Sequence, residues 1–254
     1  MMKMGEKNMS DDKSITKWFG ENLARLLAEK INKAYKGFDS EQYIQTIKQG
    51  SSNLGYTKRV ELHAEALRKC LPQSYAKAIH ILMKIVGEEN PQETGMFKHF
   101  YWLMPVGKFV EMYGLEDFEI SIQAIEEITK RNTGEYAIRP YIRKYPKKTI
   151  KIMQSWSKSN NFHLRRLASE GARPKLPWST KLDTFIDKPE PVFKILENLL
   201  QDEVVFVKKS VANNLTDYLK VNKEVTLEFI KKHQKSNNVH TQWILKYATR
   251  KINI

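Results

Sequence analysis

Apolar side chains return at helical spacing along nearly the whole chain, and strand-like alternation is almost absent. A helix with one apolar face must bury that face against another element, and here the only partners on offer are other helices. The sequence therefore predicts an all-α fold. Trp18, Leu23, Leu26, Leu27, Ala28 and Ile31 share the face of a first helix that runs through Tyr35, and Phe38-Asp39-Ser40-Glu41 turns the chain into a second one through Ile47. Further helices are predicted over 56–70, 73–86, 97–112, 117–131, 135–144, 147–157, 161–170, 190–201, 204–219, 222–234 and 237–250. Leu71-Pro72, Gly114 and Asn132-Thr133-Gly134 supply the stops.

Many short helices in series raise the question of a repeat. Ser159-Asn160-Asn161-Phe162-His163 returns as Ser236-Asn237-Asn238-Val239-His240, and Ala172-Arg173 as Thr249-Arg250, at an offset of 77 residues. A looser unit of large residue, any residue, aliphatic and basic recurs at Tyr136-Ala137-Ile138-Arg139, Phe162-His163-Leu164-Arg165 and Val205-Phe206-Val207-Lys208. The offset is about two HEAT-length repeats. The expected architecture is a HEAT-like helical solenoid with 173–191 as a long insertion. Stacked helix pairs leave one concave face, and repetition would set Arg139, Arg165, Arg166, Lys208 and Lys209 along it as a basic groove.

Charge supports that expectation. The net charge is +14, but residues 1–134 hold 19 Lys and Arg against 18 Asp and Glu, whereas 135–254 hold 24 against 11. A surface built only for solubility has no reason to gather in one half, so the excess points to a polyanion, most simply nucleic acid. No lysine-rich helix has the apolar face and aromatic anchors of a membrane-surface helix, and no apolar run is long enough to span a bilayer. The polar start MMKMGEKNMSDDKS lacks the apolar stretch of a signal peptide; residues 1–14 are expected to be frayed, ahead of one domain over 15–254 with a helical part 15–134 and a basic part 135–254. The single cysteine, Cys70, suits a reducing cytoplasm and, at the end of an apolar helical pattern, a small buried role.

Several chemistries find no support. The histidines are scattered without metal-ligand spacing, so neither a metal nor another cofactor is expected; no phosphate-binding glycine loop and no nucleophile elbow occurs. Three carboxylates of the basic half stand beside cations: Glu135 at the start of EYAIRPYI, Glu170 at the end of FHLRRLASE, and Asp217 in VANNLTDYL. An acid at a helix C-terminus opposes the helix dipole, which makes Glu170 costly. Each also has a structural role open to it, Glu170 as the partner of Arg166, Glu135 as a first-turn charge, Asp217 as part of an inter-repeat salt bridge; taken singly, those roles are the stronger readings. Trp178 shifts the balance. Pro174 and Pro177 stiffen the loop that carries it just after Arg173 and Lys175, an arrangement suited to stacking on a base or sugar, or to plugging the gap the insertion leaves.

SNNFHLRRLASEGARPKLPW, GEYAIRPYI and KKSVANNLTDYLK together resemble the AlkC branch of the DNA alkylation repair glycosylases, relatives of AlkD built from HEAT-like repeats. The resemblance continues through FGENLARLLAEKI, LGYTKRVELHAEALRKCLP and KFVEMYGLEDFEIS, and R-x-x-S-E-G-x-R-P-x-L-P-W is its most specific string. It implies a monofunctional glycosylase that releases cationic alkylated bases, 3-methyladenine and also 3-methylcytosine, from double-stranded DNA. Its acidic site falls on Asp217, Glu170 and Glu135 and its stacking aromatic on Trp178. Asp217 is the first choice for stabilising charge at C1′, with Glu170 and Glu135 holding water or the base. Arg139, His163, Arg165, Arg166, Arg173, Lys175, Lys208 and Lys209 are then expected to contact DNA. Some relatives carry an immunoglobulin-like domain that is not expected here. A monomer without obligate protein partner, cytoplasmic and held to the nucleoid through DNA, completes the expectation. The competing readings are a non-catalytic HEAT-like protein for bent, branched or damaged DNA, and a protein-binding solenoid.

Overall fold

Residues 14–250 are described by the structure, a computed structural model. The frayed start expected over 1–14 thus lies, apart from Ser14, outside the described residues. A 3-10 turn at Ile15–Trp18 precedes α1 (Glu21–Ala34), α2 (Ser40–Gly50), α3 (Tyr56–Cys70), α4 (Tyr75–Met83), α5 (Phe97–Phe100), α6 (Met104–Tyr113) and α7 (Phe118–Thr129). The basic half holds α8 (Ile138–Lys144), α9 (Pro146–Trp156), α10 (Phe162–Glu170), α11 (Glu190–Leu199), α12 (Val205–Val221), α13 (Lys223–His233) and α14 (Val239–Thr249). No strand occurs among the described residues, and no helix there is long and apolar enough to cross a membrane.

Two expected helices differ from their expected course. The stretch 97–112 is broken: α5 ends after one turn, Tyr101–Leu103 is 3-10, and α6 restarts with Pro105 in its first turn. Proline has no N–H to donate and its ring crowds the preceding turn, so it starts a helix more readily than it continues one. Glu135 also does not open a helix. It sits in the turn after Gly134, with α8 beginning three residues later.

The repeat seen in the sequence has a local cause. Asn161 caps α10 by accepting from the backbone N–H of His163 and Leu164, and Asn238 caps α14 by accepting from those of His240 and Thr241. Two residues ahead of each cap a serine closes the same small turn: Ser159 Oγ accepts from Asn161 N at 3.1 Å and Ser236 Oγ from Asn238 N at 3.2 Å. Asp202 does this before α12, accepting from Val204 N at 3.0 Å, and Thr133 Oγ1 before α8, accepting from Glu135 N at 3.3 Å. One turn chemistry therefore launches α10, α12 and α14, and it recurs at Thr133–Glu135 in the turn ahead of α8.

α10, α12 and α14 pack side by side, and α9 and α11 lie against each other behind them. Leu164 and Leu167 of α10 and Val207, Val211 and Leu215 of α12 fill the space between, all buried. Each such side chain contributes about 1.5–3 kcal/mol on removal from water, and the sum sets the layer spacing that the polar site inherits.

Candidate active site

Glu135, Glu170 and Asp217 come from three separate elements and meet. α10 delivers Glu170 at its last turn, the turn before α8 delivers Glu135, and the C-terminal part of α12 delivers Asp217. Two arginines join them into one chain of alternating charge. Arg166 Nη1 pairs with Glu135 Oε2, and its Nη2 lies 3.5 Å from Glu170 Oε1. Arg173 Nη1 donates to that same Glu170 oxygen at 2.6 Å while its Nε donates to Asp217 Oδ2 at 2.8 Å. Thr133 Oγ1 donates to Glu135 Oε2 at 2.9 Å, and Ser210 Oγ donates to Glu170 Oε2 at 2.6 Å. All three carboxylates are buried.

The acids are not equivalent. Both oxygens of Glu170 are taken, one by two arginines and one by Ser210. Burial alone would push its carboxyl up, but Arg166, Arg173 and the Ser210 hydroxyl together hold it below the usual range. Asp217 behaves the other way: burial outweighs its bond to Arg173 and raises its carboxyl. Among the described residues no hydrogen bond reaches Asp217 Oδ1 or Glu135 Oε1. The two ends of the chain thus keep an uncommitted oxygen each. Glu170, expected to hold water or the base, is the tied centre of the network, and its C-terminal position is tolerable because two guanidinium groups offset the helix dipole.

Trp178 stands beside this network. It is 71% exposed, and its φ of 65° puts a non-glycine residue in the left-handed region, a conformation worth roughly 1–2 kcal/mol of strain. Its ring meets Tyr56 edge-on, centroids 5.6 Å apart, across a cleft that Tyr136, Thr133, Met104 and Gly107 also line. The cleft holds about 50 Å³. Burial and then the Glu135 charge push the Tyr56 phenol up to about 12; the Tyr136 phenol is raised by burial and by Glu135 as well. Both tyrosines went unnoticed in the sequence. Tyr136 sits inside a quoted repeat unit, but Tyr56 has no local signal at all.

The basic groove expected from the repeat needs correction residue by residue. Arg139 is 1% exposed and bonds only backbone carbonyls. His163 is buried, donates Nε2–H to the Asn90 carbonyl at 3.0 Å, and is biased toward its neutral form by burial. Arg165 forks onto Asp202, Nε to Oδ2 at 2.6 Å, and Lys208 is buried against His240 Nδ1 at 3.2 Å and over the Trp243 ring. Arg166 and Arg173 are spent on the acids. Six of the eight expected DNA contacts are therefore committed inside the protein; Lys175 and Lys209 are exposed. The recurring cation of the loose unit is an inter-repeat brace: Arg165 of α10 reaches the residue that launches α12, and Lys208 of α12 reaches α14. Trp102 and Trp156 are buried in the core, Trp243 is half-buried, and Cys70 is buried with its thiol pushed up to about 11 by burial.

Comparison with known proteins places this geometry. The profile of the family described as "DNA alkylation repair enzyme" matches residues 110–252, which includes all three acids and Trp178. The chain superposes with a TM-score of 0.82, at 32% identity and over 92% of its length, on the Pseudomonas fluorescens alkylpurine DNA glycosylase AlkC bound to DNA containing an abasic-site analogue, covering 63% of that chain. The Bacillus subtilis (strain 168) protein YhaZ, described as uncharacterized, is 34% identical over 243 residues, 95% of this chain and 64% of its own. The chain thus spans a little under two thirds of the length of both relatives. It belongs to the DNA alkylation repair enzyme family.

Proposed function

We propose that this protein is a monofunctional DNA glycosylase that hydrolyses the N-glycosidic bond of cationic alkylated bases in double-stranded DNA, 3-methyladenine first and 3-methylcytosine as a second substrate. The observation that carries the reading is the convergence of three buried carboxylates, two of them with a free oxygen, beside an exposed, strained tryptophan. The fold likeness to a glycosylase bound to abasic-site DNA supports it. An N3-alkylated adenine already bears positive charge, so its departure needs no strong general acid. What the reaction needs is stabilisation of the oxocarbenium-like sugar left behind, and fixed negative charge in a water-poor site is the means.

The roles follow from the free oxygens. Asp217 Oδ1 faces C1′ and orients the attacking water, while Arg173 holds Oδ2 and fixes the carboxylate's angle. Glu135, at the other end of the chain of charges, meets the cationic base. Glu170 positions both arginines. Trp178 stacks on the lesion nucleotide, and exposed cations such as Lys175 and Lys209 meet phosphates. A neutral base gains far less from the acids, which gives the discrimination. Incubating the protein with methylated duplex DNA and resolving the released bases by chromatography tests the reading: release of 3-methyladenine supports it, and intact methylated DNA with tight binding would favour a non-catalytic damage binder.

A further inference from the structure

Arg139 is the largest side chain of the described residues to be fully buried, and it makes no ion pair. Its Nη1 donates to the carbonyls of Gly171 at 3.3 Å and Arg173 at 2.8 Å, and its Nη2 to the carbonyl of Thr180 at 2.6 Å. Burial and the neighbouring Arg143 and Arg173 pull it down to about 10, so it stays a cation at neutral pH, with Glu135 and Asp217 supplying the opposing field. A buried charge is expensive, and packing alone would be served better by an apolar residue of the same size. The three carbonyls lie at the two ends of one segment. Gly171 and Arg173 are on the strand of chain that enters the Trp178 loop, and Thr180 is on the strand that leaves it. Leu182 N donates to the Pro174 carbonyl at 3.0 Å, closing the same neck. Arg143 adds an outer fastening, Nη2 to Thr180 Oγ1 at 2.6 Å and to the Lys181 carbonyl at 3.1 Å.

We infer that Arg139 is a positioning residue that sets two things at once: the placement of Trp178, through the neck of its loop, and the aim of Asp217, through the backbone of Arg173. Only a planar guanidinium can span three carbonyls from one anchor, because its N–H groups diverge in a fixed fork. Arg139 touches neither base nor sugar. The inference rests on the proposed glycosylase reading for its rate effect, but the fastening of the loop stands without it.

The test compares Arg139→Gln, Arg139→Lys and Arg143→Met with the unaltered full-length protein. Three quantities are read: the single-turnover rate of 3-methyladenine release, affinity for a duplex bearing a tetrahydrofuran abasic analogue, and the rate of tryptic cleavage after Lys175. For both Arg139 variants we expect about 100-fold slower release, the order of loss that a displacement of about 1 Å produces. Abasic-site affinity should stay within about threefold, and cleavage after Lys175 should be at least about tenfold faster. Arg139→Lys keeps the charge and loses the fork, so rescue by lysine would overturn the geometric argument. Arg143 is exposed, so its variant folds even if the Arg139 variants do not, and it should shift rate and cleavage the same way by about three- to tenfold. Unchanged cleavage in every folded variant, or rate and DNA affinity falling together, would refute the inference. If the unaltered protein releases no base, the glycosylase reading fails while the cleavage comparison still decides this one.

Discussion

Replacing Arg173 with methionine keeps the apolar stem of the side chain and removes both of its charged bonds, to Glu170 and to Asp217. Glu170 retains Arg166 and Ser210. Asp217 retains no hydrogen-bond partner among the described residues and stays buried. Breaking a buried pair by removing one partner costs about 3–5 kcal/mol. For a protein of this size 1 kcal/mol moves Tm by roughly 2–4 °C, so Tm should fall by about 6–20 °C at pH 7. The pH dependence carries the sharper test. Asp217 already has its carboxyl raised by burial, and losing Arg173 raises it further. A carboxyl whose folded pKa lies above its unfolded value is favourable when protonated and penalised as pH rises through the folded value. Glu170 runs the other way in the unaltered protein: held low, it stabilises fully above the usual carboxylate range, and that contribution is lost as pH falls. The Asp217 effect narrows the gap between variant and unaltered protein as pH falls from 7 to 5, and the Glu170 effect enters only at lower pH, below the usual carboxylate range. Calorimetric melts at pH 7 and pH 5, at matched ionic strength, should show a clearly smaller difference at pH 5. A drop under about 3 °C at pH 7, or the same drop at both, would mean the chain of charges does not hold the acids as described.

Trp178→Gly should leave Tm unchanged or raise it by a few degrees, since it relieves a left-handed tryptophan that is largely exposed, while base release falls about tenfold or more; a large loss of stability would make the indole a packing residue. Lys209→Ala should weaken DNA binding evenly across sequences and lower the salt slope by about one, whereas Lys208→Ala should act mainly on thermal stability; the reverse assignment would restore the repeated cation to a phosphate-facing role. Asn161→Ala should cost about 1 kcal/mol in urea unfolding, and Asn238→Ala a similar amount, because both close the same cap; no cost at either would remove the physical basis of the repeat.

The fold was legible because its signals are local. Apolar spacing and the stops at Leu71-Pro72 and Asn132-Thr133-Gly134 are written in adjacent residues, and so is the Ser-x-Asn turn that starts α10 and α14. The break at Pro105 was legible too, had the proline been weighed against the apolar pattern around it. The acids were legible only as candidates, since a carboxylate beside an arginine looks the same whether the pair faces a ligand or braces a helix. That ambiguity misled the reading of the cations. Arg139, Arg165 and Lys208 recur because each repeat must be tied to the next, and a tie of that kind has the spacing a phosphate track would have. Tyr56 was out of reach altogether: it lies far along the chain from Trp178, and only the tertiary fold brings the start of α3 and the loop after α10 together.

Asp217→Asn puts the account to its most direct trial. Asparagine keeps the shape of the side chain and removes the charge that is meant to stabilise the sugar, so single-turnover release of 3-methyladenine should fall by about 100-fold or more, with binding to abasic-site duplex unchanged or tighter. Release at the unaltered rate would contradict it.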